Sequence, residues 1–312
     1  MYIMVNKEVL TCLVTDLLDE SGFLVSERCH VRPRSFDLVA RQKGLLLILK
    51  ILSNIDGLNE KTAIEIRRLA KYLWGRPLLV GEKTRDHQLE RGVVYVRYGV
   101  PTVCLDTLAD WVLEGLPPLA YAAHGGLYVK IDGRLLRQLR LESGISLGAL
   151  ASELSVSRRT VSKYEMESMD TSIDVALRLE ELFGQELIKP VDFVKPGGLD
   201  VAPQQVDDGV LQLLSQIGFD VFPTAQSPFN AVTQNEDLVV LTAVSKFSST
   251  MVKKARIMSS LSIVTRTSSA VIVDGEAKMK HIEETALIEM RELKGIDKTS
   301  EFADLMSKKQ NK

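Results

Sequence analysis

The chain has 312 residues, of which 45% are hydrophobic and 26% charged, with a formal net charge of −2. This is the composition of a soluble globular protein long enough for two or three domains, and its near-neutral balance excludes one that coats nucleic acid through bulk charge. No run approaches the roughly 18 apolar residues of a membrane helix, and the start Met1-Tyr-Ile-Met-Val lacks a signal-peptide pattern.

Cys12, Cys29 and Cys104 are odd in number and widely spaced, which fits free thiols rather than a disulfide or zinc site. A cytoplasmic location, no membrane partner, no metal and no cofactor are therefore expected.

In chain order, residues 1–120 read as a mixed α/β domain. A helix is predicted near 6–20, a strand pair around 36–40 and 45–52 turned by Arg41-Gln-Lys-Gly44, and a helix near 59–74. Strands near 77–82 and 93–97 and a helix near 106–114 follow. Leu45 to Leu49, with Ile51 and Leu52 beyond Lys50, have the composition of a central strand buried on both faces.

Pro117-Pro118 marks a domain edge, and Ala123-His-Gly-Gly-Leu-Tyr-Val-Lys-Ile-Asp-Gly133 reads as a β-hairpin entering a helical segment. Residues 121–188 then form the second domain, with helices near 133–143, 146–153, 157–165 and 172–183. Residues 189–205, rich in proline and glycine without a period, read as a linker. A second α/β domain is expected over 206–295 and a polar, frayed tail over 296–312.

The second α/β segment repeats the first. Ser35-Phe-Asp-Leu-Val-Ala aligns without a gap on Pro228-Phe-Asn-Ala-Val-Thr, so that Phe36, Val39 and Leu45 meet Phe229, Val232 and Leu238. Ser21-Gly-Phe-Leu-Val25 matches Ile217-Gly-Phe-Asp-Val221 after a three-residue loop difference. Each copy continues into a basic helix, 64–74 or 251–261, and then a short apolar strand, 78–80 or 262–264.

The run Leu150-Ala-Ser-Glu-Leu-Ser-Val-Ser-Arg-Arg-Thr-Val-Ser-Lys-Tyr-Glu165 has the spacing of two short helices joined by a tight turn. Leu150, Ala151, Leu154, Val156, Val161 and Tyr164 fall inward, whereas Ser157, Arg158, Arg159, Ser162 and Lys163 fall outward. One face packs and the other can meet a major groove, where arginine pairs with guanine. Thr160 is placed for a phosphate or a thymine methyl. Helix starts at Ser146 and Ser157 offer backbone N–H groups to phosphates. Between residues 130 and 164 there are seven basic residues, Arg140 among them, against three acidic ones, so the segment is basic within a slightly acidic chain.

With Leu136-Arg-Gln-Leu-Arg140, Gly144-Ile-Ser146 and Ala176-Leu-Arg-Leu-Glu-Glu-Leu-Phe-Gly184, this series resembles the helix-turn-helix of phage lambda repressor and Cro over about 50 residues. The resemblance implies that the counterparts of Arg158, Arg159, Ser162 and Lys163 contact bases. It departs at Leu147, where many members carry a phosphate-contacting glutamine. The wider arrangement resembles a family of archaeal helix-turn-helix transcriptional regulators, in which this module lies between α/β segments.

Asp37 and Lys50 resemble part of the PD-(D/E)xK nuclease core, but Ile48 stands where a second carboxylate is required. The aligned positions of the second copy are Asn230, Leu241 and Ala243, which removes all three groups. Both copies are therefore expected to be degenerate nuclease-like folds without catalysis, Asp37 and Lys50 surviving as vestigial positions or as a structural ion pair.

The expected function is sequence-specific regulation of transcription by a homodimer on double-stranded DNA, with room for an unidentified effector. The alternatives are a metal-dependent nuclease targeted by the helical module, or a protein-docking scaffold.

Overall fold

The computed structural model describes residues 6–194 and 208–310. The chain opens with α1 (Lys7–Glu20), whose N-cap Asn6 accepts from the Val9 amide, followed by β1 (Leu24–Val25), β2 (Leu38–Gln42) and β3 (Leu45–Asn54). A 3-10 turn over Ile55–Gly57 leads to α2 (Glu60–Tyr72), capped by Asn59, and then to β4 (Arg76–Lys83). Next come β5 (Val93–Arg97), β6 (Val100–Val103), α3 (Leu105–Leu113) and the hairpin of β7 (Ala120–Ala123) and β8 (Gly126–Ile131).

The helical module comprises α4 (Gly133–Glu142), α5 (Leu147–Glu153), α6 (Arg158–Glu165), β9 (Thr171–Ser172), α7 (Ile173–Phe183) and β10 (Ile188–Lys189). After it run α8 (Gly209–Ile217), β11 (Asp220–Pro223), β12 (Ala231–Gln234), β13 (Val239–Ser245) and the long α9 (Ser249–Thr265). The chain finishes with β14 (Ser268–Val273), β15 (His281–Ile282), β16 (Thr285–Glu289), α10 (Met290–Leu293) and α11 (Thr299–Lys309).

By packing, the chain divides into two units, one of Met1–Leu52, Asp56–Leu79 and Pro196–Lys312 and the other of Ser53–Ile55 and Val80–Lys195. The two similar segments share one unit, and residues 80–120 belong with the helical module. Most of the expected linker, 195–205, lies outside the described residues.

In the first unit, β1, β2 and β3 form an antiparallel set, with Val39 opposite Ile48. The C-terminal segment forms a six-stranded sheet in the order β11-β12-β13-β14-β16-β15, where β14 lies parallel to both neighbours. There Val232 is opposite Leu241, the pair aligned with Val39 and Ile48. The correspondence reaches single hydrogen bonds. The Asp37 amide donates to the Leu49 carbonyl and the Asn230 amide to the Thr242 carbonyl, at 2.7 and 2.8 Å. The Ile51 amide donates to Asp37 Oδ2 at 2.9 Å and the Val244 amide to Asn230 Oδ1 at 3.0 Å. The three-residue offset before the hairpin also holds, since Val25 faces Ala40 and Val221 faces Thr233.

The two segments dock reciprocally. The Ala225 amide donates to Glu65 Oε2 on α2, and Tyr72 on α2 stacks near Phe222 of β11 with ring centroids 4.7 Å apart. Conversely, the guanidinium of Arg41 on β2 donates to the Val264 and Thr265 carbonyls at the end of α9, at 2.6 and 2.9 Å. The Glu27 amide donates to Ser260 Oγ.

Two local expectations are corrected in this unit. Residues 262–264 are the last turn of α9 and not a strand; the strand is β14, four residues further on. The supposed frayed tail contains α11, whose Phe302 and Met306 are buried and whose Phe302 ring stands edge-on to Phe219.

In the second unit the strand order is β6-β5-β7-β8-β10, with β9 also paired to β8. The predicted hairpin is present, and β10 returns along β8 with Ile188 opposite Ile131. Both chain ends of the helical module are thereby fixed to one strand. No helix among the described residues is long and apolar enough to cross a membrane.

Candidate nucleic-acid interface

Three of the four helices of the module, α4, α5 and α6, start on a residue whose short side chain closes the first turn; Ser172 before α7 makes no such bond. Asp132, Ser146 and Ser157 accept from the amides of Leu135, Ala149 and Thr160 at 3.0 to 3.1 Å. Substituting such caps by alanine typically costs about 1 kcal/mol. The inward set is buried as its spacing predicts: Leu150, Ala151, Leu154, Val161 and Tyr164 are all in the core, and Val156 is half-buried.

The orientation of α6 is set by a contact the periodicity does not reveal. Arg140 on α4 is buried and donates through Nε and Nη2 to the two carboxylate oxygens of Glu165 at 2.5 and 3.0 Å, while its Nη1 donates to the Ile145 carbonyl at 3.0 Å. Arg140 is therefore an internal brace between α4, the turn after it and the end of α6, and its charge is spent there. Its position was a signal: Gly133, Leu136 and Arg140 are the buried residues of α4, so a cation occupies the apolar stripe and needs a partner.

Two glycines allow close approaches. A Cβ on Gly133 would lie 2.3 Å from the Tyr164 carbonyl oxygen, so α4 begins directly against the end of α6. A Cβ on Gly148 would lie 2.7 Å from Arg158 Nε, so the Arg158 guanidinium rests over the first turn of α5.

Of the predicted contact residues, Ser146, Ser157, Arg158 and Arg159 are exposed, and Thr160, Ser162 and Lys163 are half-buried. The structure brings Ser157 to Lys163 together along α6, with Ser146 at the start of α5. Thr160 Oγ1 is 2.8 Å from Ser157 Oγ, so its hydroxyl is engaged and its methyl is the free part. The side chains of Arg158, Arg159 and Lys163 have no hydrogen-bond or ion-pair partner among the described residues.

Asp37 and Lys50 lie in the other unit. The Asp37 side chain is fully buried, its Oδ1 2.9 Å from Lys7 Nζ and 3.0 Å from Arg34 Nε, and its Oδ2 3.7 Å from Lys50 Nζ. Lys50 Nζ also donates to the Arg34 carbonyl at 3.1 Å. Burial pushes the Asp37 carboxyl upward, yet the Lys50 and Lys7 ammoniums and the Ile51 amide outweigh it and hold it below the ordinary carboxylate range. At Lys50 burial wins, and the ammonium sits below the ordinary lysine range despite Asp37.

A divalent cation does not fit here. Magnesium wants several oxygen ligands, whereas this site offers one carboxylate whose oxygens already face three cations and an amide. Ile48, at the position of the second acid, is buried and apolar. Among the described residues no cluster of three His, Cys, Asp or Glu side chains could hold a metal. Lys7 and Arg34 were not singled out from the sequence, because a helix start and an irregular loop carry no periodicity pointing at Asp37.

Two family models match the chain: a PD-(D/E)XK superfamily domain over residues 7–118 and a helix-turn-helix over residues 136–188. No solved structure matches. Among curated proteins, one from Methanosarcina acetivorans named "Putative HTH-type transcriptional regulatory protein" is 46% identical, covering 98% of both chains. Proteins of the same type from Halobacterium salinarum and Haloquadratum walsbyi are 46% and 43% identical, over 97% and 98% of this chain. At that identity over nearly the whole length, the chain belongs to this archaeal family of HTH-type transcriptional regulatory proteins.

Proposed function

We propose that the protein is a sequence-specific regulator of transcription that binds duplex DNA as a dimer through α6 and has no enzymatic activity. The observation that carries this reading is the contrast across α6. One face is locked by the Arg140–Glu165 pair and by the Gly133 contact, and the other presents Arg158 and Arg159, exposed and without partners among the described residues. A rigid helix with free guanidinium groups at its start is suited to guanine edges in the major groove. Ser162 and Lys163 lie further along the same helix, where they would meet the groove wall or a phosphate. The Ser146 and Ser157 hydroxyls are used as caps, so phosphate contacts from those helix starts would come from backbone amides.

The test is selection of bound duplexes from a random pool, followed by titration of the winning sequence at fixed salt. Arg158→Ala and Arg159→Ala should each weaken binding by about 1–3 kcal/mol and relax specificity at one base pair. A palindromic consensus, with a complex mass corresponding to two chains per site, supports the dimer. If both variants bind like the parent, α6 does not read the operator.

The matching register of the two α/β segments supports a duplicated, degenerate nuclease-like fold in which neither copy cuts. The family match over residues 7–118 is the observation favouring the nuclease alternative. Metal-dependent nicking of plasmid by the purified protein, abolished by Asp37→Ala, would overturn the non-enzymatic reading.

A further inference from the structure

Around Asp37 there is more positive charge than the fold itself uses. Lys7, Arg34 and Lys50 have side chains 28%, 13% and 9% exposed, and all three converge on this single carboxylate. They line a shallow cavity, wide open to solvent and of about 560 Å³, together with Arg32, Pro33 and Gln226. Arg32 has no ion-pair partner among the described residues. Glu8, the residue after Lys7, is held by Arg28 and does not offset the excess. Four cations against one carboxylate leave the cavity wall strongly positive; Arg32 is exposed, whereas Arg34 and Lys50 are largely shielded from water and share one counter-charge, which is costly to keep.

Gln226 enters this wall from the second α/β segment and is fixed there. Its backbone carbonyl accepts from the Ser35 amide at 2.8 Å and the Ser35 hydroxyl at 3.1 Å, and its side-chain Oε1 accepts from Thr62 Oγ1 at 3.1 Å. The side-chain oxygen being taken, what the Gln226 amide has left to offer the cavity is its N–H donors. Both segments thus contribute donors, and no residue lining the cavity carries negative charge, Asp37 lying fully buried behind Lys7, Arg34 and Lys50.

We infer that this cavity binds a small phosphate-bearing molecule, held by Lys7, Arg32, Arg34, Lys50 and the Gln226 amide. A phosphate group carries up to two negative charges on several acceptor oxygens, which suits a wall of guanidinium, ammonium and amide donors. The volume lies within the range of about 300–1,000 Å³ typical of small-ligand sites, which leaves room for more than a bare phosphate. The degenerate nuclease-like centre, unsuited to a metal, is in this reading a ligand site through which a regulator can sense an effector. The inference does not depend on how α6 reads DNA.

The test is calorimetric titration of the full chain with inorganic pyrophosphate at constant ionic strength, with citrate as a polyanion lacking phosphorus. Saturable binding of pyrophosphate is expected, weakened about tenfold or more in Arg34→Gln and in Lys50→Met, since each loses a charged hydrogen bond to the ligand. Asp37→Asn should act in the opposite direction and tighten binding about three- to tenfold, because it removes the buried negative charge that the lining cations share. That variant has a precedent in the same chain, where Asn230 makes the equivalent bond to the Val244 amide. A merely disturbed fold would weaken binding in all three variants.

No binding above the ionic-strength control, unchanged affinity in Arg34→Gln and Lys50→Met, or looser binding in Asp37→Asn overturns the proposal. Citrate binding as tightly as pyrophosphate overturns the phosphate assignment. Displacement of pyrophosphate by non-specific duplex, persisting in a chain carrying Arg158→Ala and Arg159→Ala, would mean that the cavity grips a DNA backbone and overturns the small-molecule reading. Operator binding by the cavity variants, measured separately, keeps failure here distinct from failure of the DNA-reading proposal.

Discussion

Arg140 and Asp37 are both buried charges, and each is tolerated for a different reason. Arg140 meets a single carboxylate in two-point geometry and gives its remaining donor to a carbonyl, so the pair is self-contained. Removing one partner leaves the other stranded: Glu165→Gln should cost about 3 kcal/mol in urea unfolding, whereas replacing both, as in Arg140→Met with Glu165→Leu, should recover much of it. Asp37 meets several cations at once, and its carboxyl is held below the ordinary range. Its folded value lies below the unfolded value near 3.9, so its stabilising contribution is present above that pH and is lost as pH falls through the folded value. Unfolding free energy measured from about pH 5 to pH 2 should fall less steeply in Asp37→Asn than in the parent chain.

At the scale of elements, local preference and tertiary contact pull in different directions at identifiable places. The turn between α5 and α6 holds Ser155 at φ 55°, a left-handed conformation that a residue with a Cβ adopts at a cost. Ser155→Gly should therefore raise thermal stability by roughly 0.5–1 kcal/mol without altering the module. Gly133→Ala should do the reverse, by about 1–3 kcal/mol, because its Cβ would collide with a carbonyl oxygen at the end of α6.

The last turn of α9 shows the opposite outcome to a propensity argument. Ile263, Val264 and Thr265 are β-branched and read locally as a strand. Leu261, Ser262, Val264 and Thr265 are nevertheless buried, and Arg41, over 220 residues away in the chain, satisfies the final carbonyls of the helix. In α11, the spacing of Phe302 and Met306, one helical turn apart, was a legible signal that the polar composition of the tail obscured.

At the scale of the whole molecule, the contacts within the first unit resemble those of an isologous pair, the loop after the first strand of each segment donating a backbone amide to the helix of the other, Ala225 to α2 and Glu27 to α9. Two similar halves on one chain have met as two subunits would. A chain ending at residue 195 should therefore lose more than its missing part: the partners of Arg41, Glu65 and Ser35 go with it, and buried α/β surface becomes exposed. Hydrogen exchange should show β2 and α2 deprotected in that truncation. Unchanged protection there would mean that the halves fold independently.

The sequence by itself determined the local facts: the presence of the strand pair, the helix starts at Ser146 and Ser157, the outward arginines on α6 and the missing acid at Ile48. These are set by periodicity, turn chemistry and residue identity over a few neighbours, so they are readable along the chain. The tertiary structure alone decided which distant groups meet. It joined Arg140 to Glu165, gathered Lys7, Arg34 and Lys50 on Asp37, brought Gln226 from the second segment to the same cavity, and made one unit of the two similar halves. No local pattern encodes such pairings. They follow from burial, which forces every enclosed charge and helix end to find its complement wherever the fold supplies one.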